Sequence, residues 1–443
     1  MNTSTTLSSS PQITIGDQAM TPQPLAHTTE PAASSTPSAI SLRPRPRLGL
    51  GATLIGEEEK ALVLDVLQRQ ALNRYQGGTM AAQLEEEFRE VIGTRFALAV
   101  TSGTVALEVA LAALGIGPGD EVIITAWGWV ACFTAVVRLG ALPVLAEIDD
   151  TFCLAPGEIT RLANERTKAV AIVHYQGVAA AMQPLLDEAA AVGIKVIEDC
   201  AQSLGVLYHG QRVGSMGDIG TYSLQHSKTL TSGEGGMVVM NDPILYERAV
   251  RMHDLGLLRP YHEKLVERQV PAFSGSQFRM NELTAAVALA QLRKLDRLRE
   301  HCRNLQQIVM SSIRDLPGLA FRHIPDPQGD TGFEVYLQLP TPAIAEAFRT
   351  RLDALNVNCH QTTGTYCHYA REYCQTGLAH TSTASPFTQF PQWPAPGYRQ
   401  EDFPRTEALI HRFVALPLSA LYTEEDAHYI GACIRHVHSQ VMA

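Results

Sequence analysis

From Phe96 onward, short β-rich runs alternate with longer helical ones, and few folds can absorb such an alternation. "FALAV" precedes a helical "VALEVALAAL", "EVIIT" precedes "VACFTAVVRLG", and "LPVLAEI" leads through a helix to "KAVAIVHY". "MQPLLDEAAAVG", "IKVIED", "GTYSLQ" and "GMVVMND" continue the series. Strands joined through helices pair in parallel, so the pattern predicts an α/β domain with a mainly parallel sheet. Ligands of such sheets sit at the carboxyl ends of the strands. The amphipathic run "NELTAAVALAQLRKLDRLRE" predicts one long helix leaving this domain, and the mixed patterns beyond it a smaller C-terminal α/β domain. The expected divisions are a tail over residues 1–45, a large domain over 46–295 and a small domain over 296–443. Up to residue 40 the chain is rich in Ser, Thr, Pro and Ala, has no Lys or Arg and lacks an apolar period, which predicts disorder. A helical pattern begins near Gly56 in "GEEEKALVLDVLQRQAL".

With 443 residues, 45% of them hydrophobic, the chain can bury a large core. No run approaches the roughly 20 apolar residues of a membrane span, and the N-terminus has no basic segment followed by an apolar one. A cytoplasmic protein with neither membrane nor nucleic-acid partner is therefore expected. The net charge of −10 disfavours nonspecific attraction to nucleic acid, so any bound anion must be held by local geometry. Eight cysteines without a CxxC pair read as reduced thiols. The Cys359-His360, Cys367-His368 and Cys374 series lacks the compact pairing of a zinc site, and no metal is expected.

Three short motifs carry chemistry. In "AVTSGTVALEVAL" a strand ends at Ser102-Gly103-Thr104 and a helix begins at once, so free N–H groups and the helix dipole favour an anion such as phosphate. The same residues also suit an ordinary helix cap. In "VIEDCAQSLG" the carboxylates Glu198 and Asp199 end an apolar strand, with Gln202 just beyond; each is either a loop residue or the partner of a cationic group. In "YSLQHSKTLTSGEGG" Lys228 lies between the strand end at Ser223 and a glycine-rich turn. Taken singly it reads as a surface charge, but a desolvated lysine loses its proton readily and can form a Schiff base with an aldehyde. With the aromatic Trp129 between the first two motifs, the set matches the needs of pyridoxal 5'-phosphate: an anion cradle, an aromatic cover, an acid for the ring nitrogen and an amine.

These motifs, with "GEEEKALVLDVL", "SGTVALEVALAALGIGPGDEVI", "VIEDCAQSLGVLYHGQRVGSMGDIGTYSLQHSKTLTSGEGGMVVMND" and "FRMNELTAAVALAQLRKL", resemble the DegT/DnrJ/EryC1/StrS group of sugar and aminocyclitol aminotransferases. The resemblance runs from about Gly56 to "ALPLSALYTEEDAHYI". It implies the fold type I pyridoxal phosphate transferase architecture, with a mainly parallel seven-stranded sheet in the large domain, and a homodimer with shared sites. It further implies that Lys228 makes the Schiff base and Asp199 pairs with the ring nitrogen. Gln202 then lies near the phenolic oxygen, Trp129 covers the ring, and Gly103, Thr104 and Ser223 hold the phosphate.

Glutamate or glutamine is the implied amino donor, and a keto-sugar, often nucleotide-linked, or a keto-cyclitol the acceptor. His174, Tyr175, Arg212 and His226 are candidate substrate contacts. The chain departs from the group in "QFRM", where Gln277 stands in place of asparagine at a phosphate contact from the neighbouring subunit. It departs again in "VAAAM", which lacks the usual acidic residue, and in the loop "QTTGTYCHYAREY". Dehydratases of the same fold carry histidine where the lysine stands, so Lys228 argues against that alternative. The intact set of Asp199, Gln202, Ser223 and Lys228 argues against a non-enzymatic regulator.

Overall fold

A computed structural model of the chain describes residues 40–381, 385–390 and 397–442. Most of the expected tail therefore lies outside the described residues. Residues 40–45, expected to belong to it, are instead tied down: Arg43 bonds the Glu425 carbonyl at 3.0 Å, and Arg45 bonds the Asp353 carboxylate at 2.8 Å.

The apolar runs become β1 (Phe96–Val100), β2 (Glu121–Thr125), β3 (Leu142–Ala146), β4 (Thr167–Val173) and β5 (Lys195–Asp199). A two-residue hairpin follows, β6 (Leu207–Tyr208) with β7 (Gln211–Arg212), and then β8 (Ile219–Ser223) and β9 (Gly236–Met240). Seven of these form one sheet in the order β1-β9-β8-β5-β4-β2-β3. Only β9 runs against its neighbours, pairing antiparallel with both β1 and β8. All residues of β1, β2, β8 and β9 are buried, as expected for a sheet covered on both faces. Six strands thus point the same way, and the ends of β1, β4, β5 and β8 open on one edge.

A second, antiparallel sheet follows in the order β10-β11-β13-β12, made of β10 (Ala320–Phe321), β11 (Glu334–Gln338), β12 (His360–Gln361) and β13 (Phe413–Pro417). Leu305, Phe348, Leu352 and Val437, from the helices Leu295–Ile313, Pro342–Ala354 and Glu424–Val441, pack with Leu337 and Leu416 in a separate hydrophobic cluster.

One expected element differs. The run read as a single long helix is two, Glu282–Leu292 and Leu295–Ile313. At the break Lys294 turns inward, and its ammonium bonds both oxygens of the buried Glu59 at 2.7 and 2.8 Å and the Leu54 carbonyl at 2.8 Å. Burial alone would raise the Glu59 pKa, but Lys294, the Gly56 N–H and Gln291 hold it below the ordinary value. Sequence periodicity sees only an amphipathic stripe there; the inward lysine is a tertiary demand.

Lys294→Met leaves the Glu59 carboxylate buried without its cation. Urea unfolding should show a loss of about 3–5 kcal/mol, and the double variant Glu59→Leu/Lys294→Met a smaller one. Equal stability of wild type and Lys294→Met would contradict the pairing.

Candidate active site

Side chains of successive strand residues point to opposite faces, which separates the two carboxylates at the end of β5. Glu198 is fully buried on one face and accepts N–H bonds from Gly214 at 2.7 Å, Met216 at 2.7 Å and Gly217 at 2.6 Å. His174 completes the group, its Nε2 lying 3.0 Å from Glu198. Because His174 Nδ1 accepts the Ala180 N–H at 3.1 Å, the ring proton sits on Nε2 and is donated to Glu198. Burial would raise the Glu198 pKa, yet His174 and the backbone donors outweigh it and keep it low. His174, Glu198 and Cys200 are close enough to share a metal, but the first two are committed to each other and to the Gly214–Gly217 backbone.

Asp199 faces the other way, into a cavity of about 840 Å³ at the strand-end edge. Its Oδ1 accepts the Ala201 N–H at 3.0 Å and its Oδ2 accepts the Cys132 thiol at 3.0 Å. Burial, reinforced by the Asp199 charge, pushes the Cys132 pKa far up, so that thiol stays a donor. Val173 at the end of β4 and Tyr175 just beyond it, on the matching face, line the same cavity.

The end of β1 and the end of β8 form the opposite side. Ser102 caps the helix Gly103–Leu114 by accepting the Val105 N–H at 3.2 Å. A Cβ on Gly103 would lie 2.6 Å from the Cβ of Ser223, and one on Gly236 would lie 2.3 Å from the Ser102 carbonyl oxygen. Only glycine lets the helix start press against β8 and β9, so Gly103, Thr104 and Ser223 stand together around free N–H groups.

Lys228 enters from the turn after β8, where its own N–H donates to the Gln225 carbonyl at 2.9 Å. Its ammonium is largely desolvated, which lowers its pKa against the opposing pull of Asp199, and no hydrogen bond contributes. Gln202 also lines the cavity, and its Oε1 is buried without a partner.

His226 is exposed on the cavity wall, while Trp129, 54% exposed, stands at the lip with Tyr366 at 6.5 Å between ring centres. Two expected residues lie elsewhere. His174 is sealed beneath the cavity floor by its bonds to Glu198 and Ala180. Arg212 turns away to Asp296 at 2.6 Å and to the Gly205 carbonyl at 2.9 Å. Gln277 is exposed, bridged to the backbone of Asp254 and off this chain's cavity.

Other wall residues carried no motif. Arg47 to Thr53 form a strap whose Gly51 N–H bonds the Thr229 carbonyl next to Lys228 at 2.9 Å. Glu334 and Tyr366 come from the C-terminal part, and Cys132 from the helix Ala131–Arg138. The "DVLQ" helix and its approach give no local sign of the strap; only the Gly-x-Gly in "LGLGA" hints at close backbone contact.

The model of the DegT/DnrJ/EryC1/StrS aminotransferase family matches residues 53–435. Among curated relatives, GDP-perosamine synthase of Vibrio cholerae is 38% identical over 243 residues, 54% of this chain and 64% of the relative. The L-glutamine:2-deoxy-scyllo-inosose aminotransferase of Streptomyces kanamyceticus is 36% identical over 261 residues, 57% of this chain and 60% of the relative. The chain thus spans somewhat less than two thirds of the length of these relatives. Among solved structures, 3-amino-5-hydroxybenzoic acid synthase superposes with a TM-score of 0.74 at 26% identity, over 90% of this chain and all of the other. DesV of S. venezuelae gives 0.75 at 26% identity, over 89% and 99%.

Because the Asp199 charge favours the protonated amine, Asp199→Asn should lower the Lys228 pKa further. The pH profile of Lys228 modification by trinitrobenzenesulfonate, read by peptide mapping, should shift to lower pH. An unchanged or upward-shifted profile would contradict the coupling.

Proposed function

The chain belongs to the DegT/DnrJ/EryC1/StrS aminotransferase family, and on that premise we propose that it moves an amino group from glutamate or glutamine to a keto-sugar or keto-cyclitol. The observation that carries this reading is one cavity shared by a buried acid, Asp199, and a desolvated, unpaired amine, Lys228.

The family implies pyridoxal 5'-phosphate, and the residues fit it. Gln202 offers a buried, unpartnered amide oxygen, Lys228 an amine without a partner, and Gly103 a close approach that any side chain would fill. When bound, this cofactor supplies an aldehyde that joins amines reversibly and a cationic ring that draws electrons from the substrate carbon. Thr104, Gly103 and Ser223 hold its phosphate, with the helix N-terminus adding favourable dipole. Asp199 keeps a proton on the ring nitrogen by charge pairing. Its two acceptor bonds, from Cys132 and Ala201, fix its direction. Gln202 would meet the phenolic oxygen, and Trp129 would cover the ring.

With the cofactor bound, Lys228 would provide the anchoring amine and, once free, would be placed to act as the base that takes a proton from the donor's Cα. Desolvation suits it to that task, since a lowered pKa leaves more neutral amine near pH 7.

The two relatives make the ketone precursor of GDP-perosamine and 2-deoxy-scyllo-inosose the first acceptors to test. Lys228, where dehydratases of this fold carry histidine, supports amination over dehydration.

A large domain over 46–295 and a small one over 296–443 is the division supported by the two sheets and their two hydrophobic clusters. A homodimer is supported by Gln277, which lies on the surface where a second copy can meet it. A cytoplasmic setting is supported by eight unpaired cysteines; among the described residues no helix is long and apolar enough to cross a membrane.

With either ketone and glutamate or glutamine, the protein should form a primary amine. Lys228→Ala should lose at least about a hundredfold in turnover while circular dichroism stays unchanged. A Lys228→Ala protein that transaminates like wild type would overturn the assignment.

A further inference from the structure

One wall of the cavity comes from the second sheet. Glu334 opens β11 and lines the cavity beside Tyr175, and its Oε2 is buried with no hydrogen-bond partner. Tyr336, two residues along β11, projects from the same face, and its hydroxyl is likewise buried and unpartnered. The two groups are near enough that a hydrogen-bonding interaction between them shifts both pKa values, but its geometry leaves Glu334 Oε2 and the Tyr336 hydroxyl without a well-formed partner. The Tyr336 ring lies 6.5 Å from that of Tyr175.

The nearest guanidinium is already engaged. Arg322 stacks over the Tyr336 ring at 4.3 Å and donates to the carbonyls of Tyr175 at 3.3 Å and Gln176 at 2.9 Å. Burial dominates at Glu334 and pushes its carboxyl pKa up, against smaller opposing effects of His360, Tyr336 and Arg322. A buried polar group without a partner is costly, and native proteins rarely keep one away from a functional site. Here two such groups occur on alternate residues of one strand.

Burial disfavours the charged form of this carboxyl, and the phenols beside it both donate and accept. That suits a neutral hydroxyl, since the Arg322 guanidinium beside it is already taken by two backbone carbonyls. We propose that Glu334 is a specificity-determining residue that takes a ring hydroxyl of the acceptor, with Tyr336 and Tyr175 beside it, and so turns the acceptor's carbonyl carbon toward Lys228. The assignment rests on the transamination reading of the cavity. It implies that the acceptor presents a free hydroxyl on the side of its ring facing β11, which a polyhydroxylated sugar or cyclitol does.

Calorimetric titration of the cofactor-loaded protein with the ketone precursor of GDP-perosamine and with 2-deoxy-scyllo-inosose tests this, with no amino donor present so that binding is read without turnover. The wild type should bind at least one ketone. Glu334→Ala should bind it about tenfold more weakly, and Glu334→Gln, which keeps a donor and an acceptor, within about threefold of wild type. Cofactor absorbance of each variant reports that the fold persists. Wild-type affinity in Glu334→Ala overturns the proposal. So does equal loss in Glu334→Gln, which would mean that an ionised carboxylate meets an ammonium. A loaded wild type that binds neither ketone overturns it as well. A wild type that takes up no cofactor removes the underlying reading of the cavity, which separates the two failures.

Discussion

The site depends on a carboxylate kept at the dead end of a strand, facing a cavity, with its direction fixed before any ligand arrives. Asp199 is held there by the Cys132 thiol and the Ala201 N–H, and the sheet behind it is buried on both faces. Across the same cavity Lys228 has lost most of its water and gained no hydrogen bond in exchange. An acid and an amine left in this relation, near but not bonded, form an arrangement that suits a cationic ring and an aldehyde between them. The helix start at Gly103 completes it, because the glycine allows an anion cradle to press against β8.

Strand parity explains how one short motif does two unrelated tasks. In "VIEDC" the even-numbered carboxylate, Glu198, goes beneath the sheet and binds the Gly214–Gly217 backbone, while the odd-numbered one faces the cavity. The same rule divides "HY": His174 joins Glu198, and Tyr175 joins Asp199. The buried His174–Glu198 group therefore braces the floor on which Asp199 stands. On β11 the rule puts Glu334 and Tyr336 on one face, and Glu334 lines the cavity, so the second sheet contributes to its wall.

The sheet was legible because seven β-rich runs of five to eight residues admit little else, and each predicted run falls within two residues of a strand. The cavity's floor and cradle were legible for a related reason: they lie at strand ends, where motif and position coincide. Side chains that reach the site from afar were not. Glu334 sits in "GFEVYLQL", where an acidic residue at an alternating position looks like any solvent-facing strand residue. Arg212 and His174 looked available because sequence shows polarity but not the partner, Asp296 or Glu198, that claims it. The split at Lys294 and the anchoring of residues 40–45 likewise follow from contacts with residues that are distant in sequence.

The central claim is that a single amine in this cavity joins the aldehyde of pyridoxal 5'-phosphate. Adding the cofactor, reducing with borohydride and mapping the labelled peptide by mass spectrometry tests it most directly. The account predicts one stoichiometric label on Lys228, in the peptide containing "QHSKTL". A label on another lysine, or none on a folded protein, would contradict it.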